Sequence, residues 1–272
     1  MLLDDGRLVP DPTQSLLIET DPLLGNLPWP AVATAQGPIG LRFDLGEVPS
    51  LLFEDGSRPR SAPGRSLVVG ASIAAGESQP LPEALNEARI VAKDGVNPSL
   101  LLAAQATASS VALHVSTAPL IHFAGHAAQY GGQTRLLLAP SGQAGDKPYI
   151  DESLFRHDPP RAARLIVFSA CSTGKREEGW NHGMGDIVDT LASLGVPEVV
   201  ATRWQIDSAA AVPMMSAFYG GLSAGLSVPQ ALTAARQSLI RNARYRHPYY
   251  WAAYYASGVG TTDLREVLHG SN

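Results

Sequence analysis

The stretch LIVFSACSTG, residues 165–174, is an apolar run that ends on a cysteine between small residues. Four consecutive apolar residues, 165–168, are typical of a parallel strand that is buried on both faces. Cys171, which follows this run, is the only cysteine among 272 residues. It has three interpretations: a small buried apolar residue, a surface thiol, or a nucleophile at the end of a strand.

The composition is that of an ordinary globular protein, with 45% hydrophobic and 17% charged residues. Lys plus Arg is 20 and Asp plus Glu is 25, so the net charge of -5 argues against a nucleic-acid-binding protein. A single cysteine cannot form an internal disulfide and gives no sign of secretion. The first residues are acidic where a signal peptide carries positive charge, and no run approaches the roughly 20 apolar residues of a membrane span. We therefore expect a cytoplasmic protein that binds neither nucleic acid nor membrane.

From residue 66 onward, short apolar runs alternate with helical patterns. The strand candidates are 66–70, 118–126, 134–140, 164–170 and 198–204. The helix candidates are 82–94, 98–114, 183–194, 208–224 and 228–242. The last helix has a capping box of Ser227 and Gln230, with Pro229 in its first turn. Strand alternating with helix predicts an α/β sandwich with a mainly parallel sheet.

The first 65 residues have a different character, rich in Pro, Gly and turn signals. Strand-like runs occur at 15–19 and 39–45, and 54–65 is typical of an exposed loop. We expect three parts. They are N-terminal strands and loops in 1–65 packed on the core, the core itself in 66–262, and a C-terminal tail in 263–272.

The predicted strand 118–126 ends on His126, and the predicted strand 164–170 ends just before Cys171; the two residues are 45 positions apart. Ligands of open α/β sheets collect at the carboxyl ends of the strands, so adjacent parallel strands would present both residues at one edge. An imidazole within hydrogen-bond reach generates the thiolate that a cysteine nucleophile needs. A caspase-type nucleophile has its histidine about 50 residues upstream, and this spacing agrees. A buried, unreactive Cys171 remains the alternative.

Five blocks in order resemble the CHAT domain, a caspase-fold cysteine peptidase domain related to separase and often joined to TPR repeats. The resemblance extends over about residues 15–260, and LLGNLPWPAV and LPEALNEA also fall in the expected order. The five blocks are LIHFAGHA (120–127), LIVFSACSTG (165–174), GVPEVVATRWQID (195–207), FYGGLSAGLSVPQAL (218–232) and HPYYWAAYYASG (247–258). The resemblance implies a caspase-like three-layer α/β/α sandwich and makes 66–262 the catalytic core.

By position, the resemblance implies that His126 is the catalytic histidine and Cys171 the nucleophile. The chain departs from the family pattern in Gly125, which replaces a small polar residue, and in Ala127, which replaces a glycine. The backbone N–H groups of Ala127 and Cys171 would form the oxyanion hole. Ala127 keeps the donor, provided that its backbone angles do not require glycine.

The resemblance further implies a cysteine endopeptidase for limited proteolysis of specific protein substrates in bacterial defence or signalling. Gasdermin-like pore formers are one target class of such proteases, and no metal or organic cofactor is needed. A TPR-type or other sensor partner would supply control. The loop 172–186 is either a regulatory active-site loop or an ordinary solvated connection. The alternative function is a catalytically silent or latent interaction domain that needs a partner.

The remaining candidates have two interpretations each. Asp207 either caps the following helix or, with Trp204, lines a substrate pocket for a basic side chain, as in separase-like relatives. His122 either supports the site or is a hydrogen-bonded core histidine. Asp186 and Asp189 are either alternative acids for this pocket or solvated positions on the helix 183–194. No histidine has metal-ligand spacing with Cys171, so no metal site is expected.

Overall fold

The computed structural model describes residues 15–19, 27–48, 64–73, 80–94, 98–131, 133–145, 147–172, 185–262, 264 and 267–268. Over these ranges the strands are β1 (Ser15–Glu19), β2 (Ala33–Thr34), β3 (Gly37–Pro38), β4 (Asp44–Val48), β5 (Leu67–Ala71), β6 (Ser99–Leu102), β7 (Leu120–Tyr130), β8 (Gln133–Leu137), β9 (Tyr149–Ile150), β10 (Leu165–Ser172), β11 (Glu198–Thr202) and β12 (Tyr254–Ser257). The α-helices are α1 (Pro82–Asp94), α2 (Ala108–Val115), α3 (Glu152–His157), α4 (Gly185–Ser193), α5 (Ser208–Ser223) and α6 (Val228–Leu239).

One large sheet organises the described part of the chain, in the order β1-β4-β12-β11-β10-β7-β5-β6. The strands β11, β10, β7, β5 and β6 are mutually parallel, whereas β12 is antiparallel to β11. Strand β8 pairs antiparallel with the end of β7, and β9 pairs with β8. The carboxyl ends of β7, β10 and β11 therefore lie at the same edge of the sheet.

Helices cover both faces of the sheet, because the central strands carry apolar side chains on both faces. On one face Val68, Leu120 and Val167 pack against α1, α5 and α6. On the other face Val69, Phe123 and Phe168 pack against α2, α3 and α4. The two cores on opposite sides of one sheet confirm the three-layer α/β/α sandwich.

The capping box of α6 is confirmed. The Ser227 hydroxyl accepts a hydrogen bond from the backbone N–H of Gln230, and the Gln230 side chain accepts one from the N–H of Ser227 at 3.0 Å. The two reciprocal bonds fix the start of α6.

Two predictions of secondary structure were wrong. The helix expected at 98–114 begins only at Ala108, after Thr107 as its N-cap, and Ser99–Leu102 form the edge strand β6. A run of three leucines fits a strand as well as a helix, and pairing with β5 decides between them. The strand expected at 39–45 starts at Asp44, because Ile39–Leu41 form a 3₁₀ turn.

The N-terminal part contributes to the same sheet as the core, because β4 pairs with both β1 and β12. The domain boundaries at 65 and 262 stay predictions. Most of the loop at 54–65 lies outside the described residues, as do residues 173–184 of the loop that follows Cys171. Within the described ranges, no helix has the length and apolar character needed to cross a membrane.

Candidate active site

His126 and Cys171 lie opposite each other in the parallel ladder of β7 and β10. The register runs without interruption from the pair Leu120 and Leu165 to the pair Ala127 and Ser172. The structure therefore brings together at one sheet edge the backbone positions of the two residues that the sequence pairs as base and nucleophile.

The imidazole of His126 is half-buried, and both of its ring nitrogens are shielded from solvent. Neither nitrogen has a hydrogen-bond partner among the residues that the structure describes. Buried polar atoms are nearly always hydrogen-bonded, and an exception of this kind calls for a functional or structural explanation.

The two departures from the family pattern have different structural settings. A Cβ atom on Gly125 would lie 2.9 Å from the Cβ of Ala71 and 3.1 Å from its carbonyl oxygen, so the close approach of β5 and β7 requires glycine here. Ala127 is buried in regular strand, with Ser172 opposite it on one side and Leu136 on the other. Its φ is not positive, so this backbone conformation does not need glycine. The oxyanion role of the Ala127 and Cys171 amides stays a prediction.

His122, four residues before His126, is a hydrogen-bonded core histidine. Its Nδ1 lies 3.1 Å from the Tyr219 hydroxyl on α5, and its Nε2 lies 3.1 Å from Oε1 of Glu87 on α1. His122 is fully buried and the Glu87 side chain is 4% exposed. These two hydrogen bonds therefore connect β7 to α1 and α5 on the face of the sheet to which His126 belongs. Sequence reasoning missed Glu87 and Tyr219; the signal for Glu87 is a carboxylate beside Ala84 and Ala88 on the buried face of α1.

Two further buried hydrogen bonds hold β10 just before Cys171. The hydroxyls of Ser169 and Tyr254 lie 2.8 Å apart, and Thr202 donates to the carbonyl oxygen of Ala170 at 2.9 Å. These contacts connect β10 to β12 and β11 directly behind the nucleophile position. No sequence pattern predicts these two bonds, since serine and threonine occur in strands for many reasons.

Trp204 and Asp207 follow β11, the strand beside β10, and so lie at the same edge as Cys171. The indole N–H of Trp204 donates to the carbonyl oxygen of Tyr249 at 3.0 Å. Oδ1 of Asp207 accepts from the backbone N–H of Ala210 at 2.9 Å and caps α5. The predicted helix cap is therefore present, and the pocket role of both residues stays a prediction. Asp189 is exposed on α4, and the Asp186 side chain lies outside the described part.

A cluster of buried charged residues, Glu47, Arg203 and Arg236, lies beside this edge of the sheet. Arg203 donates to the Glu47 carboxylate on β4, and its guanidinium carbon lies 4.1 Å from the centre of the Tyr255 ring. Arg236 of α6 is fully buried and donates to the carbonyl oxygen of Tyr254 at 2.8 Å. Burial raises the pKa of the Glu47 carboxyl, an effect that Arg203 partly offsets. Burial also lowers the pKa of Arg236 to about 10. In both groups burial favours the neutral form, and the neighbouring opposite charge acts against it.

No group of three His, Cys, Asp or Glu residues in the described ranges is arranged to hold a metal ion.

The model of the CHAT domain family matches residues 2–259. The chain belongs to the CHAT family. A search of curated proteins gives no significant match to this CHAT domain.

Two solved structures resemble the CHAT domain in fold. One, described as the structure of a protease, has a TM-score of 0.53 and 12% identity, over 86% of this chain and 57% of its own. The other is the Arg-specific cysteine proteinase gingipain R, with a TM-score of 0.54 and 10% identity, over 80% of this chain and 54% of its own. The chain thus spans little more than half the length of these proteins. At such identities the likeness establishes the caspase-like fold alone.

Proposed function

We propose that the chain is a cysteine endopeptidase with a His126–Cys171 dyad. The observation that carries the proposal is the pairing of His126 in β7 with Cys171 near the carboxyl end of β10. The buried imidazole without a hydrogen-bond partner among the described residues supports it, because a catalytic base needs a free ring nitrogen. Membership of the CHAT family and the fold shared with a cysteine proteinase point the same way.

In the proposed reaction, His126 takes the proton of the Cys171 thiol. The sulfur then attacks the scissile carbonyl carbon and forms a tetrahedral oxyanion, which the N–H groups of Ala127 and Cys171 stabilise. The carbon–nitrogen bond breaks as His126 returns the proton to the leaving amine, and a thioester remains. Water, deprotonated by His126, hydrolyses this thioester and regenerates the thiol. The reaction uses only groups of this chain and water.

The proposed substrate is one or a few specific proteins, cut by limited proteolysis in bacterial defence or signalling in the cytoplasm. A gasdermin-like effector is one candidate class, and a TPR-type or other sensor is the proposed partner. These proposals rest on family membership. A basic residue before the cut fits an acid at Asp207, and the Arg-specific proteinase of similar fold agrees with it.

The test is cleavage of a positional peptide library by the purified chain, with Cys171→Ala as control. Cleavage that disappears in the variant supports the proposal, whereas cleavage that persists contradicts it. Asp207→Asn tests the pocket separately, because asparagine also caps helices and only the charge is lost. A pocket role predicts that Asp207→Asn loses any preference for Arg or Lys while its stability is unchanged.

A second candidate function is a latent or silent interaction domain that requires a partner. The observation that favours it is the burial of both His126 ring nitrogens, because a substrate must reach one of them. A peptide electrophile such as an acyloxymethyl ketone distinguishes the two. Labelling of Cys171 that depends on His126 identifies a competent dyad. An inert scaffold gives no such labelling, with or without a partner.

A further inference from the structure

A cationic side chain lies on the same sheet face as His126, two strand positions further on. Strand alternation places His126, Ala128 and Tyr130 of β7 on one face. Arg135 of β8 is directly opposite Ala128 in the antiparallel ladder and so shares that face. Tyr149 of β9 shares it as well, because it is paired with Leu137, two residues after Arg135.

Two aromatic rings hold the guanidinium of Arg135. Its central carbon lies 4.1 Å from the centre of the Tyr149 ring and 4.5 Å from that of Tyr130. The ammonium of Lys147 adds a second positive charge, 5.8 Å from the centre of the Tyr149 ring. Cation–π contacts of this kind fix the plane of the guanidinium and leave its edge available for a bidentate partner.

This positive charge has no neutralising partner within the described ranges. No described carboxylate forms an ion pair with Arg135, and its Nε is buried without a hydrogen bond to a described residue. Two cations therefore lie close together with no ion pair to a described carboxylate, in a chain whose net charge is -5. A carboxylate is the group that a fixed guanidinium edge binds best.

The topology places Arg135 on a defined side of the dyad. Ala127 pairs with Ser172 of β10 on one side and with Leu136 of β8 on the other. The order across the sheet is therefore Cys171, His126, then Arg135. In peptide hydrolysis the nucleophile contacts the carbonyl carbon and the histidine protonates the leaving amine. The direction from Cys171 through His126 to Arg135 therefore leads from the scissile carbonyl, past the leaving amine, to the substrate residues on the C-terminal side of the cut.

We propose that Arg135, held by Tyr130 and Tyr149, forms a subsite for an acidic side chain on the C-terminal side of the scissile bond. The inference rests on the proposed peptidase function and adds a substrate preference to it. It concerns a different part of the substrate from the basic residue discussed for Asp207.

The first experiment compares matched peptides that carry Glu or Gln at each of the first three positions after the cut. The native chain is expected to prefer Glu at one position by about tenfold in kcat/KM, the factor that a charge-assisted hydrogen bond supplies. Arg135→Gln is expected to abolish that preference, and Arg135→Glu to replace it with a preference for Lys. Arg135→Lys, which keeps the positive charge but not the paired N–H donors of the guanidinium, is expected to retain part of the preference for Glu. Arg241→Gln, an exposed arginine after α6, is the matched control and leaves the preference unchanged.

A binding measurement separates failure of the subsite from failure of the dyad. The fluorescence anisotropy of the labelled Glu and Gln peptides is measured with Cys171→Ala and with its Arg135→Gln double variant. Tighter binding of the Glu peptide that is lost in the double variant supports the subsite even where no cleavage occurs. Cleavage without any preference for Glu overturns the subsite and leaves the peptidase intact. Absence of both cleavage and selective binding overturns the subsite in any case.

Discussion

His126 and Cys171 are directly paired across adjacent parallel strands, so the sheet itself sets their separation. Neighbouring strands lie about 4.8 Å apart, and paired residues project from the same face. The hydrogen bonds of Ser169 and Thr202 immediately behind Cys171 restrict the strand that carries it. The backbone positions of His126 and Cys171 are therefore set by the sheet and not by a loop alone.

The first prediction concerns the reactivity of Cys171, which is measured directly because it is the only cysteine. A free thiol ionises near pH 8.5, and a neighbouring imidazole keeps a larger fraction as thiolate at lower pH. The alkylation rate with iodoacetamide at pH 6 is expected to fall about tenfold or more in His126→Gln, since one pH unit corresponds to tenfold in thiolate. His157→Gln, an exposed histidine on α3, serves as control. Equal rates in the two variants would contradict the dyad.

The strands that carry His126 and Cys171, and the start of α6, could be predicted because each is encoded by residues adjacent in the sequence. The apolar runs that end at His126 and Cys171 encode buried parallel strands, and Ser227 with Gln230 encodes the start of α6. The strand β6 was missed because three consecutive leucines show neither the helical nor the strand period, and only the pairing with β5 makes the segment a strand. The supporting contacts could not be predicted either. Glu87 is 35 positions from His122, and Glu47 is 156 positions from Arg203.

The second prediction concerns Gly125, where the chain departs from the family pattern. Gly125→Ala is expected to lower the free energy of unfolding by about 1–3 kcal/mol, because the added Cβ overlaps Ala71 in a packed core. The control is Gly220→Ala in α5, where an added Cβ meets no atom within 4 Å; it is expected to stabilise by about 0.5–1 kcal/mol. Urea unfolding measures both. The double variant with Ala71→Gly removes the contact with the Ala71 Cβ but not that with its carbonyl oxygen, so it should recover part of the loss; no recovery would place the strain elsewhere.

The third prediction concerns the hydrogen bonds of His122. Tyr219→Phe leaves Nδ1 of the fully buried imidazole without its hydroxyl partner. The expected loss in the free energy of unfolding is about 1–3 kcal/mol, the cost of a buried unsatisfied polar group. Tyr250→Phe, a half-buried tyrosine before β12, makes the same chemical change without this partner. If both variants lost the same stability in urea unfolding, the His122 contact would contribute nothing specific.

The last prediction concerns the pH dependence of the contact between α3 and α4. The Glu152 carboxylate accepts hydrogen bonds from Arg156 at 2.9 Å and from the Thr190 hydroxyl at 3.0 Å, and these bonds hold its pKa below the usual value. Because the folded-state pKa is depressed, the unfolded chain takes up the proton first as the pH falls. The contribution of Glu152 is therefore complete above the usual pKa of 4.5 and disappears as the pH falls through the folded value.

Urea unfolding of the native chain and of Glu152→Gln between pH 7 and pH 3 measures this contribution as the difference between the two. The difference is expected at pH 7 and should vanish at the acidic end. Glu19→Gln, at an exposed carboxylate on the edge strand β1, is the matched control for the loss of one carboxylate. A difference that is larger at pH 3 than at pH 7 would contradict the prediction. It would mean that the bonds to Arg156 and Thr190 do not favour the charged carboxylate.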